Sequence, residues 1–77
     1  GWIRTVRRAL GMTMTQLGRR LRISAPGVAD LESRETNGSI SLSRLQSAAD
    51  ALGCDLQIVF IPRVPLAEMV ERQAFLK

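Results

Sequence analysis

The sequence predicts a mainly α domain of four to five short helices with one β-strand near its C-terminal end, and three observations lead there. Apolar residues recur at helical spacing in short blocks, every block after the first opens on a hydroxyl residue or a proline, and one late run, CDLQIVFI, alternates instead. At 77 residues the chain supports one modest core and sits near the size at which a second copy commonly supplies further burial. Residues 1–53 are expected to form the helical domain. Residues 54–77 then form an extension of one strand and a short helix for dimerisation or partner binding.

The first helix is expected over Trp2–Leu10, where Ile3, Val6 and Leu10 share a face, Arg4, Arg7 and Arg8 take the other sides, and Gly11 supplies the stop. Trp2, next to Ile3, is expected to act as a lid on the core. Thr13 is a suitable N-cap for a second helix, Met14–Leu21, with Leu17 and Leu21 one turn apart. Ser24 caps a third, over residues 25–33, which tolerates Pro26 in its first turn and buries Val28 and Leu31. Two helices of this length joined by a turn of three to four residues match the helix-turn-helix, whose second helix enters the DNA major groove.

The polar run Ser33–Ser39, with its Asn-Gly pair, is expected to be the loop leaving that helix. Ser41 then caps a fourth helix, Leu42–Leu52, with Leu42, Leu45, Ala49 and Leu52 at helical spacing and Gly53 ending it. Cys54–Ile61 reads as a strand, with Leu56, Ile58 and Phe60 on one face and Gln57, Val59 and Ile61 on the other, ended by Pro62. The chain offers no second strand, so the natural partner is the same strand of another copy, giving a homodimer. Pro65 opens a last helix, Leu66–Phe75, in which Leu66, Met69, Val70 and Gln73 share a face, with Phe75 and Leu76 beyond. It either packs across the dimer or stays free for another partner.

Charge is unevenly placed. Gly1–Arg34 holds seven Arg against Asp30 and Glu32, a balance of +5, whereas Glu35–Lys77 has four basic and five acidic residues, a balance of −1; the two give the formal +4. A basic half that coincides with a helix-turn-helix favours nucleic acid over a merely solvated surface, and DNA over RNA. With no His, one Cys and scattered carboxylates, the chain offers no metal site, no nucleophile with a base and no Gly-rich phosphate loop, so neither an enzyme nor a cofactor is expected. Cys54 has no disulfide partner, and no long apolar run or signal-type leader is present, which argues for a cytoplasmic protein without membrane contact. The start at Gly1 suggests a preceding segment.

The stretch TMTQLGRRLRISAPGVADLE resembles the phage-repressor, Cro or XRE-type helix-turn-helix through Thr13, Leu17, Gly18, Ile23, Ser24, Val28 and Glu32. The wider text, GWIRTVRRALGMT and ADALGCDLQIVFIP, is similar to the bacterial mobile mystery protein A family, and nearly the whole chain is covered. The resemblance implies a lambda-repressor-like fold and an internal ion pair between Arg7 and Glu32. It also implies a left-handed residue between the central helices, where the family usually has Gly and this chain has Arg22, and a phosphate-binding Gln where this chain has Met14.

If the third helix reads bases, the facing positions are Ser24, Ala25, Pro26, Gly27, Ala29 and Asp30. This set lacks the Arg, Lys, Asn and Gln that discriminate bases best. Affinity then leans on phosphates, with Thr13, Arg19, Arg20, Arg22, Arg34, Asn37 and Arg44 as candidates. The expected function is a sequence-specific DNA-binding transcriptional regulator acting on double-stranded DNA, a repressor of autoregulatory or antitoxin-like kind. The alternative is a protein-interaction module, an antitoxin-type partner of a toxin-like Fic-domain protein, with little specific readout.

Overall fold

The computed structural model describes residues 1–76, with side-chain surroundings through Arg72. Five helices follow one another: α1 (Trp2–Ala9), α2 (Met14–Leu21), α3 (Ala25–Asn37), α4 (Leu42–Ala51) and α5 (Leu66–Leu76). The side chains of Gln73, Phe75 and Leu76, expected on or beyond the face of the last helix, lie outside the described residues.

Local chemistry sets the boundaries. Thr13 closes a reciprocal capping box with Gln16: the Gln16 amide donates to Thr13 Oγ1 at 3.1 Å and the Thr13 amide donates to Gln16 Oε1 at 2.8 Å. Ser24 Oγ accepts from the Gly27 amide at 3.1 Å and Ser41 Oγ from the Arg44 amide at 3.2 Å, each satisfying one orphan donor of its helix. Within α3, Pro26 falls in the first turn, where its missing N–H costs nothing.

The core lies where α1, α2, α3 and α4 meet. Ile3, Leu17, Val28, Leu31, Ala48 and Leu52 are buried, and Val6, Met12, Leu21, Ile23, Leu45 and Cys54 pack around them. α3 is the central element, packing on both α1 and α2, while α2 also leans on α4. The α2–α3 approach is close. A Cβ placed on the buried Gly18 would come within 2.5 Å of the Ile23 carbonyl oxygen, so this turn is built for a residue without a side chain.

Several expectations are corrected. α3 runs to Asn37, not Ser33, and ends on Gly38 in the left-handed conformation at φ 81°. The segment expected as a loop from Ser33 therefore supplies one more helical turn, because the polar run carries no breaker before Gly38 and Glu35 ties it to α1. Trp2 is 76 % exposed and lids nothing; Leu42, placed on the buried stripe of α4, is 64 % exposed.

The strand expected over Cys54–Ile61 is absent: no strand occurs among the described residues. A strand is defined by its ladder, and no described segment offers residues 55–64 a backbone hydrogen bond. Leu56, Ile58 and Phe60, expected on the buried face of a dimer strand, run from half-buried through 58 % to 100 % exposed. The arm leaves the body, and the radius of gyration is 17.6 Å, against roughly 11.5 Å for a compact chain of this length.

Candidate nucleic-acid interface

α2 and α3 form a two-helix unit whose turn is Arg22-Ile23-Ser24. Arg22 takes φ 60°, ψ 41°, the left-handed conformation, and is the only described non-glycine residue with positive φ. Its side chain is exposed. Ile23 tucks inward, and its amide donates to the Gly18 carbonyl at 2.9 Å, which closes the end of α2.

The angle of α3 against α1 is held by charge. Arg7 Nη2 lies 2.9 Å from Glu32 Oε1, Arg7 Nε donates to the same oxygen at 3.0 Å, and Arg7 Nη1 donates to the Met12 carbonyl at 3.0 Å. Both side chains are more than nine-tenths buried. The fork of the guanidinium thus joins α1, the α1–α2 turn and α3. Glu35, one turn further on, accepts from the Trp2 amide at 3.1 Å and the Ile3 amide at 2.9 Å. It satisfies two orphan donors at the α1 N-terminus and places a negative charge at the positive end of that helix. Sequence reasoning missed this contact because it placed Glu35 in a loop. The available signal was the spacing Leu31, Glu32, Glu35 on one helical face.

With α3 fixed in this way, Ser24, Pro26, Ala29 and Asp30 are exposed, and Ala25 and Gly27 are half-buried. Ser24 Oγ is engaged as a cap acceptor, which leaves its hydroxyl hydrogen to donate outward. Asp30 is joined to Arg34 on the next turn, Arg34 Nε to Oδ2 at 2.8 Å. Arg34, expected beyond the end of the helix, is therefore on α3 itself, on the face of Asp30.

The residues expected at phosphates fall into three groups. Asp30, Arg34, Ser39, Ser41 and Arg44 line one polar pocket of about 300 Å³ between α3 and the start of α4. Arg44 stands in the first turn of α4, beside free amides, where a cation is disfavoured unless an anion joins it. Arg19 and Arg20 line a second hollow with Gln16 and the Leu10–Met12 turn, but Arg20 Nη1 already donates to the Ala51 carbonyl at 2.9 Å, closing the end of α4. Arg22, Thr13 and Asn37 stand apart from these. Arg22 is free among the described residues, Thr13 is held in its capping box, and Asn37 Oδ1 accepts from the Ser39 amide at 2.9 Å.

None of α1 to α4 has an acidic residue in its first turn; Glu35 supplies that charge to α1 from α3, while α2, α3 and α4 have no acidic residue of their own at their positive N-terminal ends. Among the described residues no group of three or more His, Cys, Asp or Glu is arranged to hold a metal ion, and no helix is long and apolar enough to cross a membrane.

A capped helix, a three-residue turn and a second capped helix whose start is exposed and basic in its surroundings define a DNA-binding helix-turn-helix protein. The chain belongs to the helix-turn-helix family HTH_3, which matches residues 3–59 and so takes in α1 to α4 and the root of the arm. No curated protein and no solved structure gives a significant match.

Proposed function

We propose that the chain is a non-enzymatic, sequence-specific transcriptional repressor. It places the start of α3 in the major groove of double-stranded DNA and acts as a homodimer on two half-sites about one helical turn apart. The observation that carries this reading is the pocket lined by Asp30, Arg34, Ser39, Ser41 and Arg44, in which Arg44 is the guanidinium-bearing residue without an acidic partner among the described residues. It sets two guanidinium-bearing side chains, one of them paired with Asp30, at the N-terminus of α4 next to α3, where a phosphate flanking the groove would sit. Arg19 and Arg22 extend the footprint around α2. Because Ser24, Ala25, Pro26, Gly27, Ala29 and Asp30 offer few discriminating groups, specificity leans on DNA shape, on thymine methyls and on the Asp30–Arg34 pair opening toward a base edge.

The test is binding to the DNA upstream of its own gene against scrambled DNA of equal length across a salt series. Tighter binding to the native sequence at physiological salt supports an autoregulatory repressor; equal, salt-labile binding to both rejects it. With Arg34→Ala and Arg44→Ala together, the slope of log affinity against log salt falls by about 2 per protomer.

A second reading is favoured by the exposed arm, on which Phe60 is 100 % exposed and Ile61 82 %. In it the chain is an antitoxin-type module, as membership of the mobile mystery protein A family would imply, and the arm and α5 hold a toxin-like Fic-domain protein. Absence of an operator beside an adjacent toxin-like gene separates this reading from the first. Both are cytoplasmic roles.

A further inference from the structure

From Leu56 to Pro62 the arm carries no charge, and this run is flanked by Asp55 on one side and Arg63 on the other. Both flanking residues are exposed, and neither is ion-paired among the described residues. Between them Ile58 is 58 %, Val59 70 %, Phe60 100 % and Ile61 82 % exposed. Such a run presents unpaired backbone groups and apolar side chains together, which is a template for a second strand.

The charges at its two ends decide which strand fits. Laid parallel in register, two copies would set Asp55 against Asp55 and Arg63 against Arg63, and like charges directly opposite are unfavourable. Laid antiparallel with Val59 opposite Val59, each Asp55 meets the Arg63 of the other copy.

We propose that a second copy of this chain occupies the arm as an antiparallel strand in the register centred on Val59, locked at both ends by Asp55–Arg63 pairs between copies. This rests on the dimeric reading above and deepens it.

Two further features agree with that register. Ile58 falls opposite the second copy's Phe60, and Leu56 opposite its Pro62. Proline has no amide to donate, so the Leu56–Pro62 pair belongs to the class that exchanges no hydrogen bonds. Pair type alternates along an antiparallel ladder, which makes Ile58–Phe60 of the same class, the one in which side chains approach most closely. The shared face of Leu56, Ile58 and Phe60 also has a place to go. Leu56 lines an apolar groove of about 430 Å³ with Trp2, Val6 and Leu45, bordered also by Asp55 and Gln57, so the paired strands start from the body's own apolar surface beside the exposed indole. A shift by one residue would put the Leu56, Ile58 and Phe60 faces of the two copies on opposite sides of the sheet and separate the charges.

Charge reversal tests the lock. Asp55→Arg alone and Arg63→Asp alone each convert both end pairs into like-charge pairs, and each variant should dimerise about tenfold more weakly than the parent by sedimentation equilibrium. The chain carrying both changes should recover the parent's affinity. An equimolar mixture of the two single variants, labelled for energy transfer, should form heterodimers well beyond the roughly half that random pairing gives, because both ends are then complementary. A dimeric parent with unchanged single variants, or with no recovery in the double variant, overturns the register while leaving the dimer in place. A parent that stays monomeric overturns the dimeric reading and the register with it. Circular dichroism of each variant checks that the helical body, which the two positions lie outside, keeps its melting temperature.

Discussion

Between Ile3 and Leu52 the apolar side chains close on one another, and the one buried ion pair has all its strong partners; from Ile58 to Val70 comparable apolar residues point into solvent. The two regions do not differ in hydrophobicity so much as in whether the chain supplies the other side of the contact. α1 to α4 each bury a stripe against another helix. Beyond Leu56, which borders the groove beside Trp2, the arm's apolar side chains have nothing to lie on among the described residues. Their burial therefore needs a partner, and removing side chains from the two regions should give opposite patterns.

The largest contrast is expected between Leu17 and Phe60. Leu17 is fully buried at the centre of α2, so Leu17→Ala should lower unfolding free energy by about 2–5 kcal/mol in urea denaturation, enough to unfold much of a small domain. Phe60→Ala removes a larger side chain yet should change the unfolding free energy of the monomer by less than about 0.5 kcal/mol, while weakening self-association. Equal losses of monomer stability would mean that the arm packs on the body, and the contrast drawn above would fall.

The next effect concerns the charge at the heart of the body. Glu32→Ala leaves the buried Arg7 guanidinium with only the Met12 carbonyl among its present partners, and should cost about 3 kcal/mol. Replacing both residues at once, Arg7→Met with Glu32→Leu, should cost far less, because no charge is then stranded. A Glu32→Ala variant as stable as the parent would show that the pair does not hold α3 to α1. Loss of stability in both variants alike would point instead to tight packing around the pair. DNA affinity should follow the orientation of α3, falling in Glu32→Ala even at temperatures where the protein remains folded.

These two regions also differed in how well they could be read from the sequence. The body was legible because its signals are local: Thr13, Ser24 and Ser41 cap the helices they were expected to cap, and Leu17, Val28 and Leu31 are buried as their spacing suggested. What was missed there depended on contacts distant in sequence. The last turn of α3 reads as a loop in the sequence because Ser33, Thr36 and Asn37 are polar, whereas Glu35 is bonded to amides more than thirty positions away. In the arm, alternation marks a segment fit for a sheet, but a ladder needs two strands, and one chain provides one. Of the positions proposed to face bases, Ser24, Pro26, Ala29 and Asp30 lie on the surface and Ala25 and Gly27 are half-buried; that Asp30 is joined to Arg34 follows only from the continuation of α3.

The smallest expected effect sits at the turn that joins α2 to α3. Arg22 holds a left-handed conformation in which a Cβ is strained, by roughly 1 kcal/mol, and it makes no ion pair among the described residues that offsets this. Arg22→Gly should therefore raise unfolding free energy by about 0.5–1 kcal/mol, since glycine takes φ near +60° freely even though it gains entropy when unfolded. The same change should lower the salt slope of DNA binding by about 1 per protomer if the guanidinium neutralises a phosphate. A gain in stability with an unchanged slope would remove Arg22 from the interface and leave its strain without a functional counterpart. A gain in stability with a shallower slope would mean that this turn gives up folding free energy for DNA affinity, in a body whose other turns are made by residues suited to them.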